Sequence, residues 1–103
     1  PDDWVEKARE VVARVPKMID QYEGLLTENP IWMARTQGIG RLTAQEALDL
    51  CLTGPSLRGS GIAYDVRKAM PYSGYEHFDF RIPVGETGDV FDRYLVRIAE
   101  MRQ

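Results

Sequence analysis

Along the N-terminal part of the chain apolar residues recur at Trp4, Ala8, Val11, Val12, Val15, Ile19, Tyr22, Leu25 and Leu26. This is the three-and-four spacing of one helical face. A long amphipathic helix is predicted, with Asp2 and Asp3 as N-cap residues and Glu6 at the capping-box spacing from Asp3. Pro16 interrupts the run. Proline has no amide hydrogen and its ring presses on the carbonyl four residues back, so a kink or two abutting helices are expected.

Thr27-Glu28-Asn29-Pro30 then reads as a turn, with Pro30 opening a short helix through Ile31, Trp32 and Met33 that Gly38 and Gly40 end. Thr43 and Glu46 again have capping-box spacing, and Ala44, Ala47, Leu48 and Cys51 give a second short helix an apolar face. Gly54-Pro55-Ser56-Leu57-Arg58-Gly59-Ser60-Gly61 is rich in turn formers and is expected to be loop or turn. Beyond it Phe78, Phe80, Ile82 and Val84 alternate with His77, Asp79, Arg81 and Pro83, the period-two pattern of a half-buried strand with Pro83 at its edge or end. After Gly85-Glu86-Thr87-Gly88, Asp89 is placed to cap a last helix whose face is Val90, Phe91, Tyr94, Leu95, Ile98 and Met101. The expected fold class is mainly α (α+β). It comprises a kinked amphipathic N-terminal helix, short middle helices, a glycine-rich irregular centre, one strand and a C-terminal helix.

At 103 residues the chain is read as one unit, 1–103. The apolar stretches are broken by Arg9, Lys17, Asp49 and Arg97, so none approaches the roughly 20 residues of a membrane span. The net charge is −3, and the 13 Lys and Arg are interspersed among 16 Asp and Glu, which argues against nucleic acid as a partner. One cysteine, Cys51, supplies neither a disulfide nor paired metal thiolates, and a reducing compartment is expected. The sequence opens at Pro1 rather than Met and helical periodicity is still running at Met101, so both ends are read as cuts in a longer polypeptide.

Few residues offer chemistry. The stretch from Leu57 to Tyr72 holds glycines beside Arg58, Arg67 and Lys68, but it lacks the order and the Lys-Ser/Thr ending of a phosphate loop. An ion-pair and hydrogen-bond network of Arg58, Asp65 and Arg67 that pins an irregular segment accounts for the same residues better, and Tyr72 is included in that structural set. His77 stands alone and is expected to be solvated. Ser56, Ser60 and Ser73 lie in no nucleophile motif, and Cys51 reads as a small core residue. Asp89 with Arg93, and Arg93 with Arg97, are four apart and read as surface neighbours on the last helix. No catalytic, cofactor-binding or metal-binding residue is assigned.

Several short motifs, in order, carry a resemblance. They are Glu23-Gly24-Leu25-Leu26-Thr27-Glu28-Asn29-Pro30-Ile31-Trp32, Arg35-Thr36, Gly38-Ile39-Gly40 and Gly54 to Ile62. Asp65-Val66-Arg67-Lys68, Pro71-Tyr72, Phe78-Asp79-Phe80, Val84-Gly85, Gly88-Asp89, Asp92 to Arg97 and Glu100 to Gln103 follow. Together they resemble the D-subunit family of respiratory complex I, whose fold is similar to the large subunit of nickel–iron hydrogenases. The resemblance implies an internal segment of a peripheral-arm subunit on the cytoplasmic face of the bacterial inner membrane. It also implies contact with other complex I subunits, the B-type and C-type above all, in an enzyme that passes electrons from NADH through FMN and iron–sulfur clusters to quinone and pumps protons. The quinone-binding histidine and tyrosine of that family lie in motifs absent here, so neither role passes to His77 or to any tyrosine of this chain. No cofactor is expected in these residues, and the isolated piece is expected to be inactive scaffold with faces that could drive self-association. The competing readings are the corresponding segment of a membrane-bound hydrogenase-type complex, a small helical protein-interaction module and, least supported, a small enzyme.

Overall fold

A computed structural model describes residues 3–103; Pro1 and the expected cap Asp2 lie outside them. The chain is mainly helical. Helix α1 spans Trp4–Tyr22 and runs into a π-helical turn at Glu23–Thr27. Helix α2 (Pro30–Thr36), α3 (Ala44–Asp49), α4 (Gly54–Arg58) and α5 (Val66–Ala69) follow, then a 3₁₀ turn at Tyr75–His77 and α6 at Val90–Met101.

The caps show how local chemistry selects these boundaries. Asn29 accepts from the amides of Ile31 and Trp32, and Pro30 loses nothing at the first helical position because its missing donor would have no partner there. Thr43 and Glu46 form the reciprocal capping box, and Asp89 accepts from the Asp92 amide at the start of α6. At α1 the expected box is absent: Asp3 has helical backbone angles, its side chain makes no cap bond, and its carboxylate pairs with Lys7. Pro16 does not divide α1 into two helices. The carbonyl it deprives belongs to Val12, which is 66% exposed and open to water.

Of the expected loop or turn at 54–61, Gly54–Arg58 winds into a short helical turn, because Pro55 sits in the first turn, where a proline is pre-shaped for the helix. One element departs from the sequence expectation. The predicted strand at 78–84 does not form; among the described residues there is no strand at all. No neighbouring strand offers a ladder and Pro83 offers no donor. The segment is instead fastened at points: Gln103 accepts from the Arg81 amide and donates to the Arg81 carbonyl, and the Gly85 amide donates to the Arg58 carbonyl at 2.8 Å.

Helix α6 is the axis, touching α1, α2 and α4. Among the described residues the buried apolar side chains are few: Ile19 from α1, Ala47 from α3, Leu57 from α4, and Val96 and Ile98 from α6. Val96 lies outside the predicted α6 face while Met101, inside it, is exposed, since a helix with neighbours on several sides buries more than one stripe. Trp32 meets Tyr94 edge-to-face at 5.7 Å, and the Tyr94 hydroxyl lies 2.8 Å from that of Thr27. Only Ala47 of the predicted α3 face is fully buried. Cys51, expected in the core, is exposed with φ 53° just beyond the helix end.

Gly88 turns the chain into α6 at φ 72°, and a Cβ there would stand 2.1 Å from the Leu42 carbonyl oxygen, a backbone atom with no freedom to swing aside. The Gly88 carbonyl accepts the Leu42 amide at 3.0 Å. Gly88→Ala combines left-handed strain with a backbone clash, an expected loss of about 2–4 kcal/mol. Thermal unfolding of the variant should show a midpoint lower by roughly 10 °C or more; an unchanged midpoint would contradict this packing of the α6 entry.

Candidate functional site

The densest polar cluster sits where α4 ends. Close approach there requires glycine: a Cβ on Gly59 would lie 2.5 Å from Arg93 Cγ, and one on Gly85 would lie 2.4 Å from the Gly59 carbonyl oxygen. The preceding residue, Arg58, is thereby driven inward and is only 4% exposed. Its Nε donates to Glu100 Oε1 at 2.7 Å, and its Nη1 donates to the Tyr64 carbonyl at 3.0 Å. Nη1 is also 3.3 Å from Asp65 Oδ2.

Asp65 does two further things. It caps α5 by accepting the Arg67 amide at 3.0 Å, and it takes the Arg67 guanidinium in a two-pronged pair at 2.9 and 2.6 Å. The Arg67 side chain beside it holds the Asp65 carboxyl below its ordinary value despite burial, and Asp65 in turn raises Arg67. Arg67 is spread over the rings of Phe80 at 4.7 Å and Tyr75 at 5.9 Å, with Lys68 over the Phe80 ring as well at 4.9 Å. Two guanidinium groups and two carboxylates thus close into a neutral set.

Of the four residues singled out in the sequence, Arg58, Asp65 and Arg67 meet directly. Tyr72 stands apart from their hydrogen bonds, half-exposed on the wall of a cleft of about 470 Å³ that the three also line, with its ring edge-on to Tyr75 at 5.1 Å. Glu100 was not legible: it lies 42 residues from Arg58, on a helix whose predicted face excludes it. The only hint is that one Asp cannot satisfy two arginines.

A second polar cluster fixes the start of α6. Burial pushes Asp89 upward, but the amides of Gly38 and Asp92 that it accepts outweigh this and leave it lowered. The same holds for Asp92, which takes the amides of Glu86 and Thr87. Arg93, expected to pair with Asp89 across one turn, instead donates to the carbonyls of Gly88 and Gly40 at 2.7 and 2.8 Å, because Asp89 is already committed as cap. His77 projects into solvent from the 3₁₀ turn, its side chain 81% exposed. Among the described residues no group of His, Cys, Asp or Glu is placed to hold a metal. Chemically, carboxylates held ionised and saturated with donors are poor bases and good anchors.

The chain is similar throughout to known proteins. The family model for the respiratory-chain NADH dehydrogenase 49 Kd subunit matches residues 1–103. A D-type NADH-quinone oxidoreductase subunit of Chloroflexus aurantiacus, the second of that name, is 58% identical over 103 residues, covering all of this chain and 25% of that protein. The corresponding D-type protein of Trichlorobacter lovleyi is 52% identical over 103 residues, all of this chain and 26% of its own length. That of Verminephrobacter eiseniae is 61% identical over 90 residues, 87% of this chain and 22% of its own length. The chain spans about a quarter of the length of the relatives it matches across its whole extent.

Removing Arg58 leaves Glu100 without its partner and Asp65 with Arg67 alone, so Arg58→Ala should cost about 3–5 kcal/mol in urea unfolding. Arg67 is one-third exposed, and Arg67→Ala should cost about 1 kcal/mol; equal losses would overturn this ranking. Asp65 also makes a pH prediction. Its folded pKa is depressed, so its contribution is complete above the ordinary 3.8 and disappears as the pH falls through the lower folded value. Asp65→Asn should therefore lower the melting midpoint at pH 6, with the gap from wild type narrowing as the pH falls below the ordinary 3.8; a constant gap would refute the linkage.

Proposed function

We propose, from the premise that this chain belongs to the respiratory-chain NADH dehydrogenase 49 kDa subunit family, that it is a scaffolding segment of a complex I D-type subunit. The parent enzyme moves electrons from NADH through FMN and iron–sulfur clusters to quinone and couples this to proton translocation. Those cofactors belong to other segments or subunits in this reading. The segment works in the peripheral arm at the cytoplasmic face of the bacterial inner membrane, against the B-type and C-type subunits. No described helix is long and apolar enough to cross a membrane, which suits a peripheral position.

One observation carries the scaffolding reading: Arg58, 4% exposed, binds Glu100, Asp65 and the Tyr64 carbonyl at once. This closes residues 58 to 67 against the last turn of α6, with Asp65 held ionised by Arg67. Residues 58 to 72 are thereby presented as a shaped surface to the rest of the parent protein. The reading also assigns Arg58, Asp65 and Arg67 to positioning, with Tyr72 on the adjoining cleft wall.

The test is made in the assembled enzyme. Arg58→Ala in the full-length parent should reduce the amount of assembled complex severalfold, while NADH:quinone turnover per assembled complex stays near wild type. Normal assembly with lost turnover would show instead that the cluster acts in the reaction. The isolated chain should oxidise no NADH and carry no stoichiometric iron or nickel by elemental analysis; either metal would contradict the scaffold reading.

A further inference from the structure

Between Tyr72 and Tyr75 the chain reverses in four residues. Ser73 has φ 50° and Gly74 φ 84°. Positive values at both central positions are the pattern of a type I′ turn, and the Tyr75 amide closes it on the Tyr72 carbonyl at 3.0 Å. Glycine adopts this conformation freely, whereas serine is strained in it. Turns of this kind ordinarily join the two strands of a hairpin, yet among the described residues there is no strand for it to join. What the turn does produce is a pair of phenols: the rings of Tyr72 and Tyr75 meet edge-on with centroids 5.1 Å apart. Strained non-glycine backbone is a pointer to the feature it creates.

The two rings differ in freedom. Tyr75 is half-buried, with the Phe78 ring at 6.1 Å and the Arg67 guanidinium 5.9 Å from its centroid, so its position is held. Tyr72 is 52% exposed on the cleft wall and can turn onto its neighbour. Among the described residues no other two tyrosines share an aromatic contact: Tyr94 meets Trp32 and Phe91, and its hydroxyl is engaged with Thr27. Tyr22 and Tyr64 are exposed but enter no such pair. A phenol, unlike the phenylalanine rings nearby, gives up an electron together with its hydroxyl proton. The radical left behind carries spin on the ring carbons beside the oxygen-bearing one.

We propose that Tyr72 and Tyr75 are a site of intramolecular dityrosine formation under one-electron oxidants of the peroxidase class, a covalent clip across the turn that fixes the wall of the cleft beside Arg58. Each phenol loses one electron and its hydroxyl proton. The two radicals join through a carbon–carbon bond between ring positions ortho to the oxygens, and the hydrogens on those carbons pass to the oxygens and restore aromaticity. One hydrogen peroxide takes up the two electrons and two protons and leaves as two waters. Because the rings are already in contact, coupling is unimolecular and outruns crosslinking between chains. No cofactor of the parent enzyme takes part, and the pair is independent of the family reading.

Treated in dilute solution with a haem peroxidase and hydrogen peroxide, the whole chain should lose two hydrogens in intact mass while staying monomeric, and the monomer should gain dityrosine fluorescence. Tandem mass spectrometry of the tryptic peptide Ala69 to Arg81 should place the bond between Tyr72 and Tyr75, read as missing backbone fragments between them. Tyr72→Phe and Tyr75→Phe keep the rings and should each abolish the monomer signal, whereas Tyr22→Phe with Tyr64→Phe should leave it unchanged. Ser73→Pro keeps both phenols but cannot take a positive φ, so it should lower the intramolecular yield about fivefold or more. Fluorescence confined to covalent dimers, a bond mapped to another tyrosine pair, or an undiminished yield in Ser73→Pro would overturn the proposal.

Discussion

A guanidinium withdrawn from water must meet charge and acceptors on each side that water has left, or the chain around it does not stay closed. Arg58 is in that position, and its partners come from three places: Glu100 from the last turn of α6, Asp65 from the cap of α5, and the Tyr64 carbonyl from the loop between. With only five apolar residues buried in the core among the described residues, hydrophobic packing alone gives little to hold that loop. The glycines belong to the same constraint. Gly59 and Gly85 let backbones come close enough for the Arg58 carbonyl to take the Gly85 amide, so the loop is fastened through both the side chain and the main chain of one residue.

Much of the helical structure was legible because local chemistry decides it. Asn29-Pro30, the Thr43 and Glu46 box, and the Asp89 cap are complete within a few residues, and each forms as its sequence specifies. The features that were not legible depend on distant partners. Alternation at Phe78 to Val84 describes a backbone able to be a strand, but a strand needs a neighbour, and here Gln103 takes that place with a side chain. Arg58, Asp65 and Arg67 could be grouped from charge and proximity in sequence. Glu100 could not, since the fourth member of the cluster is decided by where α6 crosses α4.

Surface apolarity carries the other part of the account. Leu50, Ile31, Met70, Tyr72 and Phe78 are exposed, as are Trp4, Val11 and Met18 on α1. A segment that covers a quarter of its relatives' length is expected to show such faces. The polar clusters and the apolar faces divide the work: the first fix the shape of the segment from within, and the second are available for what lies beyond it. Asp89, Asp92 and Arg93 do for the entry of α6 what Arg58 does for its exit, using backbone amides and carbonyls rather than opposite charges.

The claim that Arg58 and Glu100 act as one unit holding the loop to α6 is most directly tested by a double-mutant cycle. Unfolding free energies of Arg58→Ala, Glu100→Ala and the double variant should reveal a coupling of about 1–3 kcal/mol, with the double variant losing much less than the two single losses combined. Losses that add to within about 0.5 kcal/mol would mean that the two residues stabilise the chain independently, and would contradict the account.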